Sequence, residues 1–236
     1  MHVFLISPPG ETEFIQLQDE ELHHALKVLR CKEGERVELL DGAGMSYLAD
    51  FFRVSSREAE LKIIERNKLS AMPYRLHIAI APTKMMERFE WFLEKSVEIG
   101  ISEITPLITS RTERKVVKMQ RMEKITRAAL KQSRSAFLPV LNQETSFNDL
   151  LNNLRGQDAF IAHCLPTEKK ALVKLARGTD VTVLIGPEGD FTTDEVTSAL
   201  KKGCTAVSLG ESRLRSETAG IVACSQVHSA HIKDTW

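Results

Sequence analysis

Two short segments near the C-terminal end concentrate the residues best suited to chemistry. The first, Leu184-Ile185-Gly186-Pro187-Glu188-Gly189-Asp190-Phe191-Thr192, sets two glycines and a proline directly after an apolar run. Glycines there let backbone N–H and C=O groups approach a ligand closely, and proline stiffens the turn. A plain strand-to-helix connection would use the same residues. The second segment runs from Ser208 to Gly220 and packs Arg213, Arg215, Ser216, Glu217 and Thr218 into six positions. A Ser216 N-cap with Glu217 in the first turn would account for two of these. It leaves Arg213 and Arg215 unexplained, because cations at a helix N-terminus oppose its dipole unless an anion or electron-rich ligand is held there.

Both segments need elements to position them. From residue 76 onward, strand-like runs at 76–81, 104–108, 159–164, 181–185 and 206–209 alternate with helical patterns. The helices are expected at 86–99, 117–133, 168–176, 193–202 and 216–231. Phe89, Phe92, Leu93 and Val97 form an apolar stripe on the first of these, which stops at Gly100. Thr192 or Thr193 opens the helix after the first glycine loop, with Glu195 at the capping-box position. This alternation predicts an α/β domain with a mostly parallel sheet covered on both faces. Both candidate loops then lie at the C-terminal edge of that sheet, where such folds bind ligands. The first seventy residues differ: short strands at 2–7, 36–40, 47–54 and 58–66 surround one helix from an Asp19 N-cap to Leu29. Leu22, Leu26 and Leu29 share a face of it, and the whole suggests a small β-barrel.

Composition narrows the function classes. The chain has 236 residues, 42% of them hydrophobic and 27% charged, with 32 basic and 32 acidic side chains. No apolar run is long enough to span a bilayer, and the start lacks the pattern of a signal peptide, so a cytoplasmic protein with no membrane partner is expected. Cys31, Cys164, Cys204 and Cys224 form no C-x-x-C pair and no zinc-ligand spacing, so no metal is expected. The neutral total hides an asymmetry: residues 111–134 hold nine bases against Glu113 and Glu123. Such a face is commonly just solvated, yet it also suits a phosphate-rich partner. No G-x-G-x-x-G follows the first α/β strand, where Ala81-Pro82-Thr83-Lys84 stands, and no Walker A sequence occurs.

IGPEGDFT at 185–192, followed by LGESRLRSETA at 209–219, resembles the paired signature of the SPOUT methyltransferases. More closely, it resembles the bacterial 16S ribosomal RNA uridine N3-methyltransferase family, RsmE. Three further segments carry the likeness: His24 to Arg30 (HALKVLR); Lys84 with KSVEIGI at 95–101 and Ile104-Thr105-Pro106; and Gln132-Ser133-Arg134 with Pro139. The likeness covers nearly the whole chain in order. The chain departs from the family at Asp190, where a glycine is usual, and at Met1-His2-Val3, where basic residues often follow the first methionine.

The resemblance implies a PUA-like RNA-binding barrel over residues 1–70 and a SPOUT α/β domain over 74–236, its C-terminal segment threaded into a trefoil knot. It implies a homodimer that binds S-adenosyl-L-methionine and methylates N3 of a uridine in 16S rRNA, within the small ribosomal subunit. Carried over, the cofactor residues are Cys164, Leu184, Ile185, Gly186, Gly189, Leu209, Gly210, Leu214, Arg215 and Thr218. Arg215 would stabilise charge on the uracil carbonyls and Glu217 would serve as base or organiser. Arg30, Arg111, Arg114 and Arg134 would contact RNA.

Overall fold

A computed structural model describes residues 1–135, 137–154 and 158–232. The chain forms two compact units, one of Met1–Ala71 with Arg127–Leu138, the other of Met72–Thr126 with Pro139–Trp236.

In the first unit, β1 (Val3–Leu5), β2 (Phe14–Gln16), β3 (Arg36–Leu40), β4 (Met45–Val54) and β5 (Ala59–Lys68) form one sheet in the order β1-β3-β4-β5-β2. Alternating burial along β3 and β4 places Val37, Leu39, Tyr47, Ala49 and Phe51 in a core with Phe4 and Leu61. Pairing runs from β1 to β2 without closing, so the expected barrel is a half-barrel sheet. The short β2, absent from the sequence reading, supplies its second edge. Leu22, Leu26 and Leu29 pack on this core as their spacing predicts. The helix itself differs from expectation. Gln18, not Asp19, occupies the N-cap of α1 (Asp19–His23), and the chain then widens into a π-helical turn over His24–Leu29. Arg30 ends that turn in a left-handed conformation, φ 55°.

The second unit holds β6 (Arg75–Ile80), α2 (Met86–Ile99), β7 (Glu103–Ile108), the start of α3 (Met119–Ser133), β8 (Val140–Leu141), β9 (Thr145–Ser146) and α4 (Phe147–Asn153). It continues through β10 (Asp158–Ala162), β11 (Lys170–Ala171), α5 (Leu172–Leu175), β12 (Asp180–Ile185), α6 (Thr193–Lys201), β13 (Thr205–Ser208) and α7 (Ser216–His231). Its sheet is parallel throughout, in the order β11-β13-β10-β12-β6-β7-β8, with β9 also paired to β7. Strands buried on both faces read as continuous apolar runs, which is why β6 and β12 were legible. Ala79, Leu107, Ile161 and Leu184 face a cluster with Phe147 and Leu151 of α4 and Val196 and Ala199 of α6. On the other face α7 packs on α2, β6 and β12. A Cβ at Gly220 would lie 2.6 Å from the Phe92 ring and 3.0 Å from Ile80, so only glycine permits this approach.

Residues 168–176 are not one helix: Lys170–Ala171 pairs with β13 as the sheet's edge, and only Leu172–Leu175 is helical. The short α4 escaped the sequence reading, although its Ser146 N-cap accepts the Asp149 N–H.

Candidate functional site

Three parallel strands that neighbour one another, β13, β10 and β12, end at the same edge, and the loops leaving them enclose a cleft of about 650 Å³. Its walls come from the end of β10 and the loop to Pro166, from Asp190 after β12, and from the end of β13 through Leu214, with Ala219 of α7. Apolar surface from Leu165, Pro166, Val207, Leu209 and Leu214 alternates with a few placed polar groups, the composition of a small-molecule site.

Each wall is fixed by specific bonds. Thr192 and Glu195 form a full capping box at α6, as their spacing predicts. Burial alone would raise the Glu195 pKa; the N–H groups of Ser110 and Thr192 outweigh it and hold the carboxyl below its ordinary range. The amide of Gln226 on α7 donates to Leu209 O at 3.0 Å and so anchors the loop after β13. Lys169 crosses the loop after β10, its Nζ donating to the carbonyls of His163 (2.9 Å) and Leu165 (2.7 Å). Asp190 accepts the Cys164 N–H at 2.8 Å and the Phe191 N–H at 2.8 Å.

His163 is 7% exposed; its Nδ1 accepts the Leu165 N–H at 3.2 Å, while its Nε2 has no partner among the described residues. Burial, reinforced by the Lys169 ammonium and opposed by Asp190, holds its pKa below the ordinary value. The ring is therefore neutral near pH 7, and an Nδ1 that accepts leaves the proton on Nε2.

Of the residues expected to bind a cofactor, Cys164, Leu209, Gly210 and Leu214 line this cleft. Leu184 and Ile185 lie in the sheet behind it, 0% and 2% exposed. Gly186 serves packing: a Cβ there would sit 3.1 Å from the Phe191 ring and 3.2 Å from its backbone N. Gly189 is exposed and accepts from the Arg111 guanidinium at 2.7 Å. Arg215 and Thr218 open α7 outside the cleft lining. Ser216 is not the N-cap: Arg215 holds that position, and the buried Ser216 hydroxyl donates to Gly186 O at 2.8 Å, joining α7 to the first glycine loop. Glu217 lies against α2 rather than in the cleft lining, with Oε1 3.9 Å from Arg88 Nε and Oε2 buried with no partner among the described residues.

The four arginines expected to meet RNA are all exposed. In the first unit, Arg30 caps the π-helical turn and Arg134 pairs with Glu38 at 3.3 Å. In the second, Arg111 holds Gly189 and Arg114 reaches Lys84 O at 3.3 Å. Lys118 just before α3, and Arg121, Lys124 and Arg127 along it, are exposed while Met122, Thr126 and Ala129 are buried. His163, Lys169, Asp190 and Gln226 were missed as site residues. Only the position of Asp190 inside the glycine loop, in place of a glycine, signalled it.

A parallel sheet with its cleft at the C-terminal strand ends defines an α/β protein of the ligand-binding, doubly covered class. Residues 70–228 match the RNA methyltransferase domain family, and residues 17–64 match the RNA methyltransferase PUA domain. The chain belongs to this family of RNA methyltransferases. Ribosomal RNA small subunit methyltransferase E of Mesomycoplasma hyopneumoniae (strain 232) is 31% identical over 235 residues, which cover 94% of this chain and 96% of that protein. A crystal structure of a candidate rRNA methyltransferase from Porphyromonas gingivalis superposes with a TM-score of 0.91, at 36% identity and 98% coverage of both chains. Ribosomal RNA small subunit methyltransferase E from Neisseria gonorrhoeae, solved bound to S-adenosyl methionine, superposes with a TM-score of 0.86, at 26% identity and 95% coverage of both.

Proposed function

We propose that this protein transfers a methyl group from S-adenosyl-L-methionine to N3 of a uridine in 16S rRNA of the small ribosomal subunit. The observation that carries the reading is the cleft at the ends of β10, β12 and β13, in a chain of the RNA methyltransferase family. Its residues fit the cofactor. The volume lies within the range of roughly 300–1,000 Å³ usual for cofactor sites. Leu165, Pro166, Val207, Leu209 and Leu214 offer apolar walls for a purine, and the orphaned His163 Nε2–H offers a buried donor. Cys164, Leu209, Gly210 and Leu214 hold the cofactor directly; Leu184, Ile185, Gly186 and Gly189 shape the wall behind it. When bound, the cofactor supplies an electrophilic methyl on a sulfonium.

This chain's own groups must then deal with charge. N3 of uridine carries a proton that passes to solvent water, leaving negative charge on the flanking carbonyls; attack on the methyl then releases S-adenosylhomocysteine. The exposed Arg215 at the start of α7 is the cation for that charge, with Thr218 beside it. Glu217 is an organiser: buried against Arg88, it fixes the N-terminal turn of α7 that presents Arg215. Its Oε2, without a partner among the described residues, and the exposed Trp91 of α2 and Met85 at its N-cap support a homodimer in which a second copy covers α2 here. The return of α7 from β13, past β10, to pack on β6 and α2 supports a knotted SPOUT topology. Residues 1–70 are the PUA-like RNA-binding part and 74–236 the catalytic part, with Arg30, Arg111, Arg114 and Arg134 contacting phosphate. Ribosomal RNA as substrate puts the work in the cytoplasm, and among the described residues no helix is long and apolar enough to cross a membrane.

Nucleoside mass spectrometry of rRNA from a strain lacking the gene tests the substrate: N3-methyluridine is expected to disappear. Its retention, with another mark lost, would overturn the assignment. Calorimetry with S-adenosylmethionine tests the chemistry: absence of binding would leave an RNA-binding protein without catalysis.

A further inference from the structure

Asp190 occupies a place that the loop chemistry does not favour for a side chain. Its φ is 61°, in the left-handed region that glycine adopts freely and that only a few short polar residues tolerate. The position is held from three directions. Its own N–H donates to Pro187 O at 2.9 Å, closing the turn. Carboxylate Oδ1 accepts from the next residue, Phe191, at 2.8 Å, and Oδ2 reaches across the cleft wall to the Cys164 N–H, also at 2.8 Å. Cys164 follows the end of β10 and precedes Asp190 by 26 positions, so one carboxylate joins the loops leaving two adjacent strands.

Both residues line the cleft. Loss of the Oδ2 bond would remove the acceptor the Cys164 amide uses here and the tie that this bond makes between the His163–Pro166 loop and the glycine loop. Lys169 also holds that loop, through the carbonyl oxygens of His163 and Leu165. Asp190 also sets the local charge: it opposes the combined effect of burial and the Lys169 ammonium on His163. A charge-assisted acceptor serving two backbone amides is stronger and better fixed than a neutral one.

We propose that Asp190 is a positioning residue for the cofactor, a clamp that preorganises the wall between Cys164 and Phe191. The cost is a non-glycine residue at a left-handed φ, and the return is a cleft that needs less ordering when it is filled. The inference rests on the cofactor reading, and it assigns to Asp190 a task that a glycine at this site cannot perform.

The test uses the full chain, S-adenosylhomocysteine as probe, and the variants Asp190→Gly and Asp190→Asn. Asp190→Gly relieves the backbone and removes the clamp, so Cys164 amide hydrogen exchange in the free protein is expected to rise. Affinity for the probe should fall about tenfold, as for the loss of one charged hydrogen bond. In turnover the loss should fall on KM for S-adenosylmethionine rather than on kcat. Asp190→Asn tolerates the left-handed backbone and keeps one carbonyl acceptor, so it should recover part of both the protection and the affinity. Unchanged Cys164 exchange in Asp190→Gly, or probe binding as tight as in the wild type, would overturn the clamp while leaving the cofactor reading intact. No probe binding by the wild type would overturn the cofactor reading and this inference with it.

Discussion

The guanidinium of Arg215 is exposed where α7 begins, whereas the Glu217 carboxylate two positions later is buried against Arg88. Side chains so close in sequence thus separate into one that can meet substrate and one that holds the helix. Arg215→Ala is expected to lower methyl transfer roughly 10²–10³-fold, the usual cost of removing one charge-stabilising donor, with little change in cofactor affinity. Equal losses in turnover and in calorimetric affinity would make Arg215 a binding residue only. The loop sequence announced unusual polar content but not this division, because Glu217 is buried against Arg88 of α2, 129 positions upstream. A pH effect also belongs at this scale. Burial holds the pKa of His77 below 6.5, despite the opposing pull of Glu103, and burial likewise lowers His163. The folded chain therefore binds fewer protons than the unfolded one as pH falls through 6.5, so their contribution is present above that value and lost below it. The melting temperature is expected to drop between about pH 8 and about pH 5.5, the acid side of the histidine range, and His77→Gln should flatten that slope. A wild-type melting temperature that held steady across that interval would contradict this account.

At the scale of elements, α7 carries the site: its Gln226 holds Leu209, its Ser216 holds Gly186, and its Gly220 sits against Phe92 and Ile80. Gly220→Ala would force a methyl group into a 2.6 Å gap and should destabilise the fold by about 1–3 kcal/mol, as overpacked cores do. Chemical denaturation measures this, and a neutral or stabilising effect would show that the α2–α7 contact has slack. Thr192→Ala breaks the α6 capping box and should cost about 1 kcal/mol in the same assay. The ends of α2 and α7 were legible to the residue, because apolar period, a C′ glycine and the polar loop before α7 marked them. The π-helical turn at His24–Leu29, the edge strand Lys170–Ala171 and the short α4 were not. Each is stabilised by contacts to distant chain rather than by its own period: Ala171 by Ser208, and α4 by Phe191 and Val196.

For the whole molecule, sequence periodicity separated an N-terminal β-rich part from a C-terminal α/β part, and it counted residues 127–138 with the latter. The structure packs that stretch with the first unit, through Lys131 with Glu21 (2.6 Å) and Leu138 with Gly42 (2.9 Å). Nor could a pattern of strands reveal the strand order, since the order depends on long crossovers. The basic face of α3 gives a prediction at this scale. Replacing Lys118, Lys124 and Arg127 together should weaken RNA binding and lower the slope of log affinity against log salt by roughly 0.7–0.9 per lost phosphate contact. An unchanged slope would mean that this face is only solvated. The central claim is tested most directly by incubating the purified protein with labelled S-adenosylmethionine and small ribosomal subunits lacking the modification, then digesting the rRNA for nucleoside mass spectrometry. The account predicts label in N3-methyluridine at one site of 16S rRNA. Label in any other nucleoside, or none in the RNA at all, would contradict it.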